Sequence, residues 1–350
     1  MGTDGGDACT GRSGRGAWLV TLDRAAALLE DVVAAPDTIA RLLDAYAERG
    51  GPLDAVPTAP LTGARIVFSG LGSSRFAALD AATLLRANGL AAWVEYASTP
   101  DPSPPGEDVI FVAISASGRT PEVIDAIERH RGTSLVIGVT NDPAGRVGVD
   151  ANVVLPLFAG EERSGISCRT FQATNAVLAL LAGRLGGGAP RGVDLHPAID
   201  ALARIIGSRS TWVAPAADLF DGGDRIGIIA GALEQGIAEQ AALMFREGPR
   251  LAAAAHDAGD WLHTAIYTAL PGYRALMFGG TAYDETLVRT IRGRGGEVLA
   301  VGDALPGATR AIRAPVTNGP ARRLTLSTIA DLVAAELWAR SGVINSGDPE

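Results

Sequence analysis

From Arg65 onward the chain alternates short apolar runs with amphipathic stretches. The runs Arg65–Ser69, Ala91–Tyr96, Val109–Ile114, Leu135–Thr140 and Val153–Leu155 have the length and β-branched content of buried strands, and the stretches between them carry helical spacing. This alternation predicts a parallel sheet covered by helices on both faces. Upstream, Leu28, Leu29, Val32, Val33, Ile39, Leu42, Leu43 and Tyr46 fall at helical spacing, so residues 17–50 read as amphipathic helices broken and capped at Pro36-Asp37. Residues 1–16 are Gly-rich and polar with no apolar h-region, and read as a disordered leader, not a signal peptide. Leu185–Pro197, rich in Gly and Pro, reads as a linker.

Beyond the linker the pattern returns. Arg65-Ile-Val-Phe-Ser-Gly and Arg225-Ile-Gly-Ile-Ile-Ala lie 160 positions apart, and at the same offset Ala81-Ala82 matches Ala241-Ala242 and Arg86 matches Arg246. Ala275–Gly279 and Glu297–Val301 then supply strands where Val109–Ile114 and Leu135–Thr140 did. The chain therefore reads as two copies of one α/β unit. The layout is a leader (1–16), helices (17–50), a first unit (51–190) and a second unit (191–350).

Composition narrows the chemistry. A net charge of −9 argues against nucleic acid and anionic membranes as partners, and no apolar run has the length of a membrane span. Cys9 and Cys168 are too few for a disulfide framework and point to a reducing, cytoplasmic setting. All 30 basic residues are arginine. With no lysine, an imine to a lysine side chain is excluded, and acid–base chemistry falls to carboxylates and the four histidines.

The candidate chemistry sits where strands end. Val109–Ile114 is followed at once by Ser115-Ala116-Ser117-Gly118-Arg119-Thr120, and then Pro121-Glu122-Val123 opens a helix. Hydroxyls and amides at such a turn make an anion cradle. After Arg65–Ser69 comes a shorter relative, Gly70-Leu71-Gly72-Ser73-Ser74. Neither turn is a G-x-G-x-x-G dinucleotide fingerprint or a lysine-bearing Walker loop. Together they point to one phosphate held by both turns, with a sugar extending beyond it. The second copy has Ala232-Leu233-Glu234 and Gly279-Gly280-Thr281-Ala282 in these places, so phosphate binding belongs to the first. The second copy offers Glu247, closing a helix over 234–247, and then His256 and His263. A carboxylate at a helix C-terminus opposes the dipole, which suits a base with a raised pKa, and a solvated helix end fits the same residue. A structural histidine equally fits His263. No H-x-x-x-H or H-E-x-x-H spacing supports a metal.

These two loops and the duplicated layout resemble the tandem sugar-isomerase (SIS) domain proteins over roughly residues 20–350. The resemblance implies two SIS-type α/β domains, each a parallel sheet flanked by helices, with an N-terminal helical extension. It carries the family's phosphate ligands onto Ser73, Ser74, Ser115, Ser117 and Thr120, with Gly72 and Gly118 in the same turns. Its Glu-x-G-V-A-S-T loop is matched loosely by Glu162-Arg-Ser-Gly-Ile-Ser167-Cys168, which adds Ser167 to the binding set. Glu247 falls on the final Glu of K-L-K-E in the isomerase half of amino-sugar synthases, which moves a proton between C1 and C2. His263 falls on their ring-opening histidine, contributed by the neighbouring subunit.

The chain also departs from the family. The K-L-K-E lysine is Met244 here, and a second lysine belongs in a tail beyond Pro349, whereas the sequence ends at Glu350. Residues 1–50 are too short for a glutaminase domain, and no cysteine follows Met1. The expectation is an aldose–ketose isomerase of a phosphosugar working through an enediol(ate), without cofactor or metal. It would be a homodimer with composite active sites. A ketose-amine deaminase, an ammonia-dependent aminating isomerase and a non-catalytic sugar-phosphate sensor remain open.

Overall fold

The computed structural model describes residues 14–57, 63–186, 194–316 and 318–343, with side chains from Arg24. Two helices, α1 (Gly14–Val33) and α2 (Ala35–Ala47), precede the first sheet. The break between them falls at Ala34, two residues earlier than expected, because Pro36 is accommodated in the first turn of α2, where its missing N–H costs nothing. The predicted leader reaches only residue 13 before α1 begins, and those first residues lie outside the described ones.

The first sheet holds β1 (Arg65–Gly70), β2 (Ala91–Tyr96), β3 (Val109–Ile114), β4 (Leu135–Thr140) and β5 (Val153–Pro156). Between and after them run α3 (Gly72–Ala87), α4 (Pro121–His130), α5 (Arg146–Asp150) and α6 (Arg169–Arg184). The predicted linker lies outside the described residues over 187–193, but its end does not: His196-Pro197 opens α7 (His196–Gly207), which runs on to α8 (Arg209–Ala217). The second sheet holds β6 (Arg225–Ala230), β7 (Ala253–Asp257), β8 (Tyr273–Phe278), β9 (Glu297–Gly302) and β10 (Arg310–Arg313), with α9 (Gln235–Glu247), α10 (Ala258–Trp261), α11 (Asp284–Gly293) and α12 (Gly319–Ser341).

All recorded strand pairings are parallel, in the orders β2-β1-β3-β4-β5 and β10-β9-β8-β6-β7. Read from β7, the second order repeats the first, which establishes the duplication in topology as well as in sequence. Each sheet covers one face with its own helices: Val67, Phe111 and Val136 pack under Val123 and Ile127 of α4, and Met277 and Val298 under Leu287 and Ile291 of α11. The opposite faces share one core. Phe68 and Val112 of one sheet, Ile228 and Leu276 of the other, and Leu178, Ala241, Phe245 and Trp338 of the intervening helices belong to the same buried cluster. Where α3 meets α9 the fit leaves no room for a side chain, since a Cβ on Gly236 would fall 2.2 Å from the Phe76 carbonyl.

In each sheet the switch in strand order lies beside the first strand of the repeat: β1 against β3, and β6 against β8. The connections leaving two such strands diverge to opposite faces, and the crevice at their C-terminal ends is where open α/β sheets bind ligands.

Candidate active site

At the β1/β3 crevice the predicted hydroxyls converge. Ser115 Oγ lies 2.8 Å from Thr120 Oγ1 and 3.4 Å from Ser117 Oγ, with Ser115 buried and Ser117 exposed. Gly118 is required by its conformation and its surroundings: φ is +68°, and a Cβ would meet the Asp142 carbonyl at 2.9 Å and Thr140 Oγ1 at 3.0 Å. Thr120 precedes Pro121 at the start of α4, so the loop feeds directly into a helix N-terminus. Gly70 ties the second turn to the first, because a Cβ there would lie 3.1 Å from Ser74 Cβ and 3.2 Å from the Ile114 carbonyl. Gly72 is left-handed at φ +51°, and Ser73 and Ser74, half-buried, follow it in the first turn of α3.

The second crevice is built alike and filled differently. In register with Thr120 stands Asp284, whose carboxylate accepts from the amides of Gly280 (2.7 Å) and Thr281 (3.2 Å) and from the Thr281 hydroxyl (2.6 Å). An internal anion thus occupies the second loop, whereas in the first loop hydroxyl bonds hydroxyl. Behind it, buried Arg322 of α12 bonds the Gly279 carbonyl and reaches Asp303 at 3.2 Å and Glu234 at 3.6 Å.

Ser167 has two partners. Its hydroxyl lies 2.6 Å from Thr170 Oγ1, and its carbonyl accepts from Gln240 of α9 at 2.6 Å, so the loop joins the two units. Glu162 of the same loop caps α6, accepting from the amides of Cys168 (3.0 Å), Arg169 (2.7 Å) and Thr170 (3.0 Å). The ligand atoms of Asp31, Glu162 and Cys168 lie within 4.8 Å of one another, yet the group reads as a cap. Glu162 is occupied by amides, Arg169 reaches Asp31 at 3.2 Å, and burial pushes the Cys168 thiol well up, away from the thiolate a metal needs.

Glu247 is half-buried at the end of α9, beside Gly248, whose Cβ position is 3.1 Å from the Trp338 indole. The turn that follows holds Arg250 at φ +60°, a left-handed conformation rare outside glycine. Met244, on the family's lysine position, is fully buried and packs in the shared core. His263 is exposed, after α10, near exposed Tyr267 and Leu270. His256 is half-buried on edge strand β7, where burial lowers its pKa. Two arginines escaped the sequence reading. Arg119 pairs with Asp142 at 2.8 Å, and Arg75 directly follows Ser74 with its guanidinium 4.0 Å over the Tyr96 ring. A cation next to a hydroxyl turn was the available signal.

Residues 63–184 match the SIS domain family. Over 312 residues, 83% of this chain, it is 29% identical to glutamine–fructose-6-phosphate aminotransferase (isomerizing) of Aeropyrum pernix. The chain spans half or less of the length of the curated relatives it matches. Among solved structures, the C-terminal domain of glucosamine-fructose-6-phosphate aminotransferase from Francisella tularensis superposes with a TM-score of 0.75 at 15% identity, covering 90% of this chain and 96% of that one. Tagatose-6-phosphate ketose/aldose isomerase from Escherichia coli gives 0.70 at 16% identity, covering 91% and 95%. The fold is that of two SIS-type domains, the first of which, residues 63–184, is a member of the SIS family, and the chain is homologous to the isomerase domain of the aminotransferase. No helix among the described residues is long and apolar enough to cross a membrane.

Proposed function

We propose that this protein is an aldose–ketose isomerase of a hexose 6-phosphate or amino-sugar phosphate. The observation that carries the proposal is the asymmetry of the two crevices: the first gathers hydroxyls bonded to one another, with no carboxylate among them, while the second holds its own carboxylate. Phosphate is held by Ser73, Ser74, Ser115, Ser117 and Thr120, with amides at the start of α4 adding their dipoles. His263 transfers the proton that opens the ring. Glu247 removes the proton alpha to the carbonyl and returns it to the adjacent carbon, so an enediol(ate) forms and collapses with no net change in atoms. No lysine side chain takes part, since there is none.

Exposed His263 bears on assembly. Tyr267 is 76% and Leu270 48% exposed nearby, an apolar surround that a second copy of the chain would cover while delivering His263 to its neighbour's site. The working unit in this reading is a homodimer. The buried methionine at the lysine position keeps open a deaminating variant, in which the substrate's own nitrogen replaces that lysine. One screen tests the proposal: incubation with hexose 6-phosphates and their 2-amino forms in deuterated water, followed by NMR. Exchange of the C2 proton with aldose–ketose interconversion supports isomerisation, ammonia release supports deamination, and binding without exchange leaves a sensor.

A further inference from the structure

A phosphate monoester carries close to two negative charges at neutral pH, and a cradle of hydroxyls alone does not neutralise them. In a chain of net charge −9, a nearby cation has to do so. Two arginines stand on the cradle's own turns. Arg119 is committed to Asp142 at 2.8 Å and is 76% exposed. Arg75 has no ion pair or hydrogen bond from its side chain among the described residues, and its Nε is buried without a partner. Its position is fixed from both ends. A Cβ on Gly70 would lie 3.2 Å from the Arg75 amide, which ties its backbone to the end of β1. Its guanidinium lies 4.0 Å over the ring of Tyr96, the residue paired with Gly70 in the β1/β2 register. Stacking on a ring face holds the guanidinium plane and leaves its N–H edge for an anion.

We propose that Arg75, braced by Tyr96, is the cation that makes the first crevice select a dianionic phosphomonoester over a singly charged ester. This rests on the phosphosugar reading above. It makes Arg75 a specificity residue, acting on the charge of the group bound and not on the sugar.

The test compares glucose 6-phosphate with glucose 6-sulfate, which stays monoanionic, by calorimetry at pH 5.5 and 7.5 on the full chain. Wild type is expected to prefer the phosphate, increasingly so as its second proton leaves near pH 6. Arg75→Met should weaken phosphate binding roughly tenfold at pH 7.5, leave the sulfate nearly unchanged and flatten the pH dependence. Arg75→Lys, which keeps the charge, should restore most of the preference. A purely structural role would lower both affinities together and leave their ratio intact. If Arg75→Met keeps the wild-type ratio while Ser115→Ala/Ser117→Ala loses binding, the assignment to Arg75 is overturned and the cradle stands. If wild type binds neither ester, the phosphosugar reading fails and Arg75 falls with it.

Discussion

Replacing Ser115 and Ser117 together by alanine probes the cradle without touching the fold around it. Ser115 Oγ is 2.8 Å from Thr120 Oγ1 and 3.4 Å from Ser117 Oγ, so the pair removes two of the three clustered hydroxyls at once. A hydrogen bond to a charged group contributes about 1.5–3 kcal/mol, and water entering beside alanine recovers part of it. For the pair this leaves a net loss of roughly 1.5–3 kcal/mol, or about tenfold to a hundredfold in affinity. The fold loses less. Thr120 is half-buried and regains a water partner, so destabilisation near 1 kcal/mol and a Tm fall of about 2–4 °C are expected. Calorimetric titration with fructose 6-phosphate and a melting curve on the same samples give both numbers. Unchanged affinity in a folded double variant would refute the reasoning, because these hydroxyls would then face nothing but each other.

The other expectations concern the surroundings of that site. Asp284→Ala removes an anion from three donors, so it should lower stability by about 0.5–2 kcal/mol in thermal unfolding while leaving phosphosugar affinity unchanged. Asp331 is buried on α12, and burial, then the Glu162 charge, pushes its carboxyl up to about 8; burial likewise raises Asp80 to about 7. With folded pKa values above the unfolded ones, the native state holds the extra protons, so stability falls as pH rises from about 4 and levels off above 8, by up to about 1.4 kcal/mol per pH unit for each group. Denaturant titrations of Asp331→Asn should show a shallower fall and greater stability at pH 8, and a curve parallel to wild type would count against it. Mixing inactive Glu247→Gln with inactive His263→Asn subunits should restore part of the activity if sites are composite, whereas a monomer by light scattering would exclude that arrangement.

The strands that carry the site were legible because buried central strands in a parallel sheet are nearly continuous apolar runs. The edges were not. β7 is Ala-Ala-Ala-His-Asp, with no β-branched residue, and β10 is Arg-Ala-Ile-Arg with only Ile312 buried. Both pair along one side only, so little apolar pattern is needed to hold them. The hydroxyl loops could be read because their residues are consecutive and follow strands. What escaped depends on register: Arg75 meets Tyr96 only because β2 pairs with β1 at Gly70, and Asp284 is seen to replace Thr120 only when β8 is laid on β3. The linker reading failed at His196-Pro197 because proline in a first helical turn looks the same in sequence as proline in a loop.

The central claim is that Glu247 moves the sugar's proton, and it is tested most directly by C2-proton exchange of the turned-over phosphosugar in deuterated water, wild type against Glu247→Gln. The glutamine keeps the shape and removes the base. General acid–base steps contribute about 10²–10⁴ in rate, so exchange is expected to fall by that factor while phosphosugar affinity stays within a few-fold. Exchange at the wild-type rate in the glutamine variant would contradict the account and leave Glu247 as a helix end.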